Sequence, residues 1–566
     1  MSTLRNLASL SKKNTGLSWS MTYDPIFPII TKEERQAFQQ DPVSQGILTM
    51  EEAQVAFDIF FSYCHPMAPF LCIQSQRSAA FVRQTSPALF LSVCAVGTRF
   101  WQTNNNQTNY QGLHENYRAI VTLLDSSMSR LLLQPCLSDV TLDNIRCLLL
   151  YIQWMPVETS APGVSQTRYN DISAWSVLGL AIRYSLFLGL DRTALIPFSS
   201  QSINIPDRED VARLRVWVNI LTCDCHLMLS TGLPASLDPE PVTKIGRSFA
   251  TRKDATQPED SRLAAVSELV AIIKRAAKSS GDPRVRVLDP LSLKKANAEF
   301  DDWEGSSCVL TDFGLQSLPK NIDAAVENCQ HNQMPFTSLR WYRLAINSAG
   351  LGNILSRNKH RQEPMDLCLL QSLDISLLAA GQTIFALANE TSTLTWPAQS
   401  QSLPAFPDEI FTIDMAALGR FRFAVDSSWI THSFAAVFLV LCYTRGVIDD
   451  ELRILHLLSH CQPNVTIAPA PPRPASLFYR LISLASQIFD TICRSSATAH
   501  PAADYRSIIN NVFSDRSQAE QTDPVDQNER MGDEMDALFE LMFNGSSETN
   551  WQSELFKNDV VEITTC

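Results

Sequence analysis

The sequence predicts an all-α protein: a flexible lead (residues 1–46), a large helical body (47–515) and an acidic tail (516–566). Apolar residues recur at helical spacing in segment after segment, many opened by a capping residue and closed by Gly or Pro. No run alternates apolar and polar residues with the period of two that marks a half-buried strand. The chain has 566 residues, 45% of them apolar and 19% charged, ordinary values for a soluble globular protein with a sizeable core.

The elements follow in order. Residues up to Gly46 are polar and mixed, with Pro25, Pro28 and Pro42, and read as a lead with little regular structure. Thr49-Met-Glu-Glu52 is a capping box. The helix it opens sets Ala53, Ala56, Phe57, Phe60 and Phe61 on one face and ends at His65-Pro66. Ser86-Pro87 starts a second helix that runs to Trp101, with Ser as the cap and Pro in the first turn. Helices are expected at about 111–129 and 142–155, the latter with Ile145, Leu148, Leu149 and Ile152 inward. A Ser-, Thr-, Gly- and Pro-rich loop follows.

Two apolar helices between Asp171 and Pro234 organise the chain. In the first, Trp175, Leu178, Ile182 and Leu186 recur at helical spacing, Asp171 is placed to cap the start, and Gly189 to take the left-handed turn at the end. The second, from Arg213 to Gly232, is apolar on nearly every face and is therefore expected to be enclosed. Asp224 lies inside that run. A buried carboxylate is costly unless paired, so an Arg or a backbone partner is expected for it.

Further helices are expected at about 261–278, 338–356, 365–389, 426–445, 475–495 and 502–513, with a turn-rich stretch at 392–408 and a Pro-rich break at 463–474. Between Lys274 and Lys295 lie seven basic residues: Lys274, Arg275, Lys278, Arg284, Arg286, Lys294 and Lys295. Interleaved acids favour a solvated face over a nucleic-acid patch.

These residues carry a resemblance. The first of the central helices resembles the Trp–Leu-Gly-Leu-Ala–Arg–Leu-Gly-Leu–Arg signature of the fungal-specific transcription factor domain, the regulatory region of zinc-binuclear-cluster transcription factors. The second is similar to that family's Arg–Trp–Asp–Gly-Arg-Pro signature through Arg215, Trp217, Asp224, Gly232 and Pro234, with Leu233 at the Arg position. His65, Pro66, Pro69 and Phe70, the helix ending Arg99-Phe-Trp101, and the segment from Phe423 to Leu441 extend it. The resemblance implies a nuclear transcription regulator, not an enzyme, that controls a metabolic or secondary-metabolite gene set. It further implies a small-molecule effector among the helices, a homodimer or DNA-binding partner, and Trp175, Arg183, Arg215, Trp217, Asp224, Gly232 and Pro234 as its structural core signature.

The family's zinc cluster needs six closely spaced cysteines. The first cysteine here is Cys64, so the resemblance covers the regulatory body, about Leu48 to Phe513, and no zinc or other cofactor is expected. The 14 cysteines are scattered, as at Cys94, Cys147 and Cys368, and read as buried free thiols. Cys223-Asp-Cys225-His226 has metal-ligating types, but neighbours on a helix face different ways and do not converge on one ion.

Charge is segregated. Residues 519–566 carry 12 acidic and two basic residues, a net of −10 out of −13, which leaves about −3 for the rest. That balance argues against a chain that binds nucleic acid over its whole length. The tail interleaves acids with bulky apolar residues, the composition of an activation segment. Leu538, Phe539, Leu541, Met542 and Phe543 are the expected contact with a transcription coactivator, as an amphipathic helix in its groove. No apolar run reaches the length of a membrane span, Phe434–Tyr443 being the longest candidate. Nucleophile-elbow, zincin, Walker and dinucleotide motifs are absent. Two other readings stay open: a regulator or inhibitor without its own DNA-binding module that acts through a DNA-binding partner, and an all-α protein or enzyme that binds a small molecule near Asp224.

Overall fold

The computed structural model describes residues 41–102, 111–161, 164–167, 171–199, 206–250, 259–281, 287–315, 337–352, 367–388, 411–444 and 477–495. All lie in the unit Asp41–Cys566, which separates from Met1–Gln40. The fold is all-α. The expected helix at 502–513 and the tail residues Leu538, Phe539, Leu541, Met542 and Phe543 lie outside the described residues.

The body opens on a turn at Asp41 whose carboxylate meets Arg83 (3.1 Å). Helix α1 (Met50–Ile59) starts at the capping box: the Glu52 N–H donates to Thr49 Oγ1 (3.1 Å), and the Thr49 N–H to Glu52 Oε2 (2.8 Å). It runs on as a π-helical turn (Phe60–Cys64) and a 3₁₀ turn (His65–Met67). Helix α2 (Ala79–Thr85) was not legible in the sequence, and α3 (Pro87–Arg99) follows. Ser86 stands at the N-cap of α3, but its side chain makes no capping bond. Then come α4 (Tyr117–Leu133) and α5 (Leu142–Gln153), the latter with Ile145, Leu148, Leu149 and Ile152 all buried.

The expectation of no sheet is corrected at two small places. Strands β1 (Trp101–Gln102) and β2 (Gln111–Gly112) form one antiparallel ribbon, and β3 (Val157–Ala161) and β4 (Val164–Thr167) another. Each is too short to show a period in sequence; β3 and β4 lie in the polar stretch read as a loop.

Helix α6 (Asp171–Phe187) ends before Gly189, which takes the left-handed conformation at φ 69°. Helix α7 (Arg208–Thr231) is 24 residues long, opens on reciprocal bonds between Asp207 and Asp210, and stops at Gly232 (φ 67°). Helices α8 (Glu240–Ala250), α9 (Glu259–Ser280) and α10 (Pro290–Leu315) pack side by side, with α9 also against α7. The chain continues with α11 (337–348), α12 (Leu367–Phe385), α13 (Met415–Phe421), α14 (Asp426–Thr444) and α15 (Leu477–Ser495). Helix α12 corrects the survey of apolar runs: 18 of its residues, Cys368–Phe385, suffice in length and apolarity for a span. Most of that stretch is buried against α14 and α15.

The buried apolar residues form two large clusters. One joins α1 through α7 to α12, α14 and α15, with Phe57, Phe90, Trp429 and Phe489 among its members. The other lies between α7, α9, α10 and α11, around Phe300, Trp303, Trp341 and Tyr342. Phe434 of α14 packs against both.

Candidate functional site

Helix α7 is the shared wall of both clusters, and its sequence explains why. Leu214, Trp217, Val218 and Leu221 face the first, while Cys225 and Met228 face the second. A helix apolar on nearly every side is stable in water only when sheathed in this way. Two charged side chains are carried inside. Arg215 forms a bidentate pair with Asp260 of α9 (Nε–Oδ1 and Nη2–Oδ2, both 2.7 Å), and Asp260 is fully buried. Asp224 takes the backbone alternative: Oδ2 accepts the N–H groups of Ser236 (2.7 Å) and Leu237 (2.9 Å). Burial pushes the Asp224 pKa up, against those two bonds and the nearby Lys274. The carboxylate thus pins the turn that follows Gly232, and Lys274 holds the same turn by donating to the Ala235 carbonyl (2.9 Å).

The signature residues divide. Arg215, Trp217 and Asp224 are buried. Trp175 is 39% exposed and Arg183 is also exposed, so both are corrected from core to surface. They stand eight residues apart on one outward stripe of α6 that continues to Leu186 and Phe187, while Ala174, Val177, Leu178, Ala181 and Ile182 face inward. The Arg183 guanidinium donates to the Gly179 carbonyl (2.8 Å) on its own helix. Pro234 is exposed in the turn, not in the core. Of the thiols, Cys94 and Cys147 are buried but Cys368 is exposed, at the start of α12.

The basic stretch is resolved in part. Arg275 bridges Glu240 of α8 and Glu299 of α10. Lys278, Lys294 and Lys295 face solvent; Arg284 and Arg286 lie outside the described residues. Among the described residues no group of three or more His, Cys, Asp or Glu is placed to hold a metal ion.

A cavity of about 150 Å³ lies where the two clusters meet. One face of α7 lines it with Asn219, Thr222, Cys223, His226 and Leu227, positions three and four residues apart. Gln153 comes from the end of α5, Arg262 from α9, Trp341 and Tyr342 from α11, and Ser428 and Thr431 from α14. Ile152, Leu227, Leu263 and Phe421 belong to the first cluster; Val266, Trp341 and Tyr342 belong to the second. Arg262 bonds the Pro66 and Met67 carbonyls (2.6 and 3.1 Å), which fixes the His-Pro turn at the rim. Burial lowers the His226 pKa to about 4 and raises the Cys223 thiol to about 11, so the imidazole and the thiol are both neutral at pH 7. The His226 and Trp341 rings stand 5.6 Å apart. Sequence reading placed a ligand site only loosely, near Asp224. The cavity lies on another face of α7, and its other walls come from residues spread along the chain from Met67 to Thr431.

The architecture is a large α-helical body in which α7 lies between two apolar cores. Residues 57–243, from α1 into α8, match the family model of the Fungal specific transcription factor domain. That domain is a regulatory one, not an enzyme family, and it supports a fungal transcription-factor-type regulator. No curated protein and no solved structure matches the chain.

Proposed function

We propose that the chain is a fungal transcription activator that works in the nucleus, with the helical body as its regulatory domain and residues 516–566 as its activation segment. The domain match over 57–243 carries this reading. The segregation of charge supports the role given to the tail: a net of −10 resides in residues 519–566. Acidic residues there keep Leu538, Phe539, Leu541, Met542 and Phe543 solvated until a coactivator groove accepts them. A metabolic or secondary-metabolite gene set is the proposed target, reached through DNA directly or through a DNA-binding partner or second copy.

The test is a reporter assay with residues 516–566 fused to an unrelated DNA-binding domain. Strong activation is expected, lost when Phe539 and Phe543 are both replaced by Ala. Silence of the fusion, or full activity of the double variant, would remove the activation role.

A further inference from the structure

Three buried polar atoms on the walls of the cavity have no hydrogen-bond partner among the described residues: Gln153 Oε1, His226 Nε2 and Trp341 Nε1. Gln153 and Trp341 are 7% and 4% exposed. The other end of the Gln153 amide bonds Cys223 Sγ (3.4 Å), so one end is committed to the wall and the other is left over. The indole N–H of Trp341 is a donor only. Buried polar groups in native proteins are nearly always satisfied, because leaving one unpaired forfeits its hydration with no return. Three such atoms gathered on one cavity, supplied by α5, α7 and α11, are therefore a ligand-binding pattern more than a packing one.

The walls also set the chemistry. Arg262 is the only charged side chain on them among the described residues; no carboxylate lines the cavity, which disfavours a cation. Two Arg262 bonds go to backbone carbonyls, and the remaining surface is largely apolar, which disfavours a bare anion as well. We propose that the cavity binds a small uncharged organic molecule with an apolar body and an amide-like edge, a carbonyl for the Trp341 N–H beside a donor for Gln153 Oε1, with His226 Nε2 giving or accepting a further bond according to its tautomer. The two apolar cores meet at this cavity, so a bound molecule bridges them. Binding itself does not depend on the regulator reading; only what binding would signal rests on it.

Benzamide is the probe, because it presents a carbonyl and an N–H₂ on an aromatic ring of suitable size. It is titrated into the full chain while the tryptophan indole N–H resonances are followed by NMR, with the Trp341 signal assigned by its loss in Trp341→Phe. A saturable shift of that resonance is expected, with millimolar affinity, the level that about nine heavy atoms can supply. Toluene, which lacks the polar edge, and benzoate, which is charged, should each bind at least about tenfold more weakly. Gln153→Leu should weaken benzamide by about tenfold while leaving the melting temperature of the free protein nearly unchanged, since loss of the long bond to Cys223 Sγ is offset by loss of the partnerless Oε1. No shift up to about 10 mM benzamide, an equal response to toluene, or an unaltered affinity in Gln153→Leu would each overturn the proposal. The reporter assay on the tail fails or succeeds separately, so loss of one reading is distinguishable from loss of the other.

Discussion

His65 and His432 are buried and His226 is half-buried, and desolvation lowers each imidazole pKa from 6.5 to about 4. In the unfolded chain the same rings take up a proton near pH 6.5. Between pH 6.5 and 4 the unfolded state therefore binds more protons than the folded one, and stability falls as the pH falls through that window. Each ring contributes a loss on the order of 1–3 kcal/mol by pH 4. The melting temperature should accordingly drop steadily below pH 6.5, and His432→Gln should flatten the slope even though it forfeits the bond to the Ser428 carbonyl (2.9 Å). A slope unchanged in that variant would show that His432 is charged in the folded protein. Single-residue roles were only partly legible in the sequence. That Asp224 needed a partner followed from its apolar setting. That the partner is the backbone of Ser236 and Leu237, and that Arg215 belongs to Asp260 instead, follows from where the turn and α9 come to rest. Trp175 reads as inward because α6 is apolar on both faces, so its periodicity does not say which face is inside, while Arg183 is set there by the family signature, which fixes residue types and not burial.

Helices were the most legible level, where a local signal existed. The Thr49 capping box and the glycines at 189 and 232 mark their boundaries by rules that act within four residues. Helices α8 and α10 were missed in the sequence, α8 because Pro234, Asp238, Pro239 and Pro241 punctuate its start. The contact between α1 and α3 shows what no local rule supplies. A Cβ built on Gly97 would lie 2.1 Å from the Ala56 carbonyl oxygen, a backbone atom that can retreat only if the helices part. Gly97→Ala should therefore cost about 2–3 kcal/mol or more by overpacking, against a helix-propensity gain of about 1 kcal/mol. Gly419 in α13 has open space around its Cβ position, so Gly419→Ala should be neutral or stabilising by about 0.5–1 kcal/mol. Chemical melts of the two variants would decide it: equal midpoints would mean that α1 and α3 are not in the close contact described.

At the scale of the whole molecule, the segment that matches the family is not a self-sufficient piece. Residues 57–243 end inside α8. Arg99 at the end of α3 forms a buried bidentate pair with Asp426 (2.7 and 3.2 Å), which opens α14, and both meet the Met155 backbone: Arg99 donates to its carbonyl (2.9 Å), and Asp426 accepts its N–H (2.8 Å). Trp154 donates to the Phe423 carbonyl (3.1 Å). Arg215 depends on Asp260, beyond the match. A fragment of 57–243 leaves two buried arginines without carboxylates, each a loss of about 3–5 kcal/mol, and strips the apolar residues of α12, α14 and α15 from the first core. Total stabilities of about 5–15 kcal/mol cannot absorb that. Such a fragment should bind a hydrophobic dye and melt without a cooperative transition, whereas residues 41–495 should unfold in a cooperative transition with dispersed amide resonances. A cooperatively melting 57–243 fragment would mean that the ties through Asp260 and Asp426 are dispensable, and that the regulatory body divides at α8 in a way its buried ion pairs oppose.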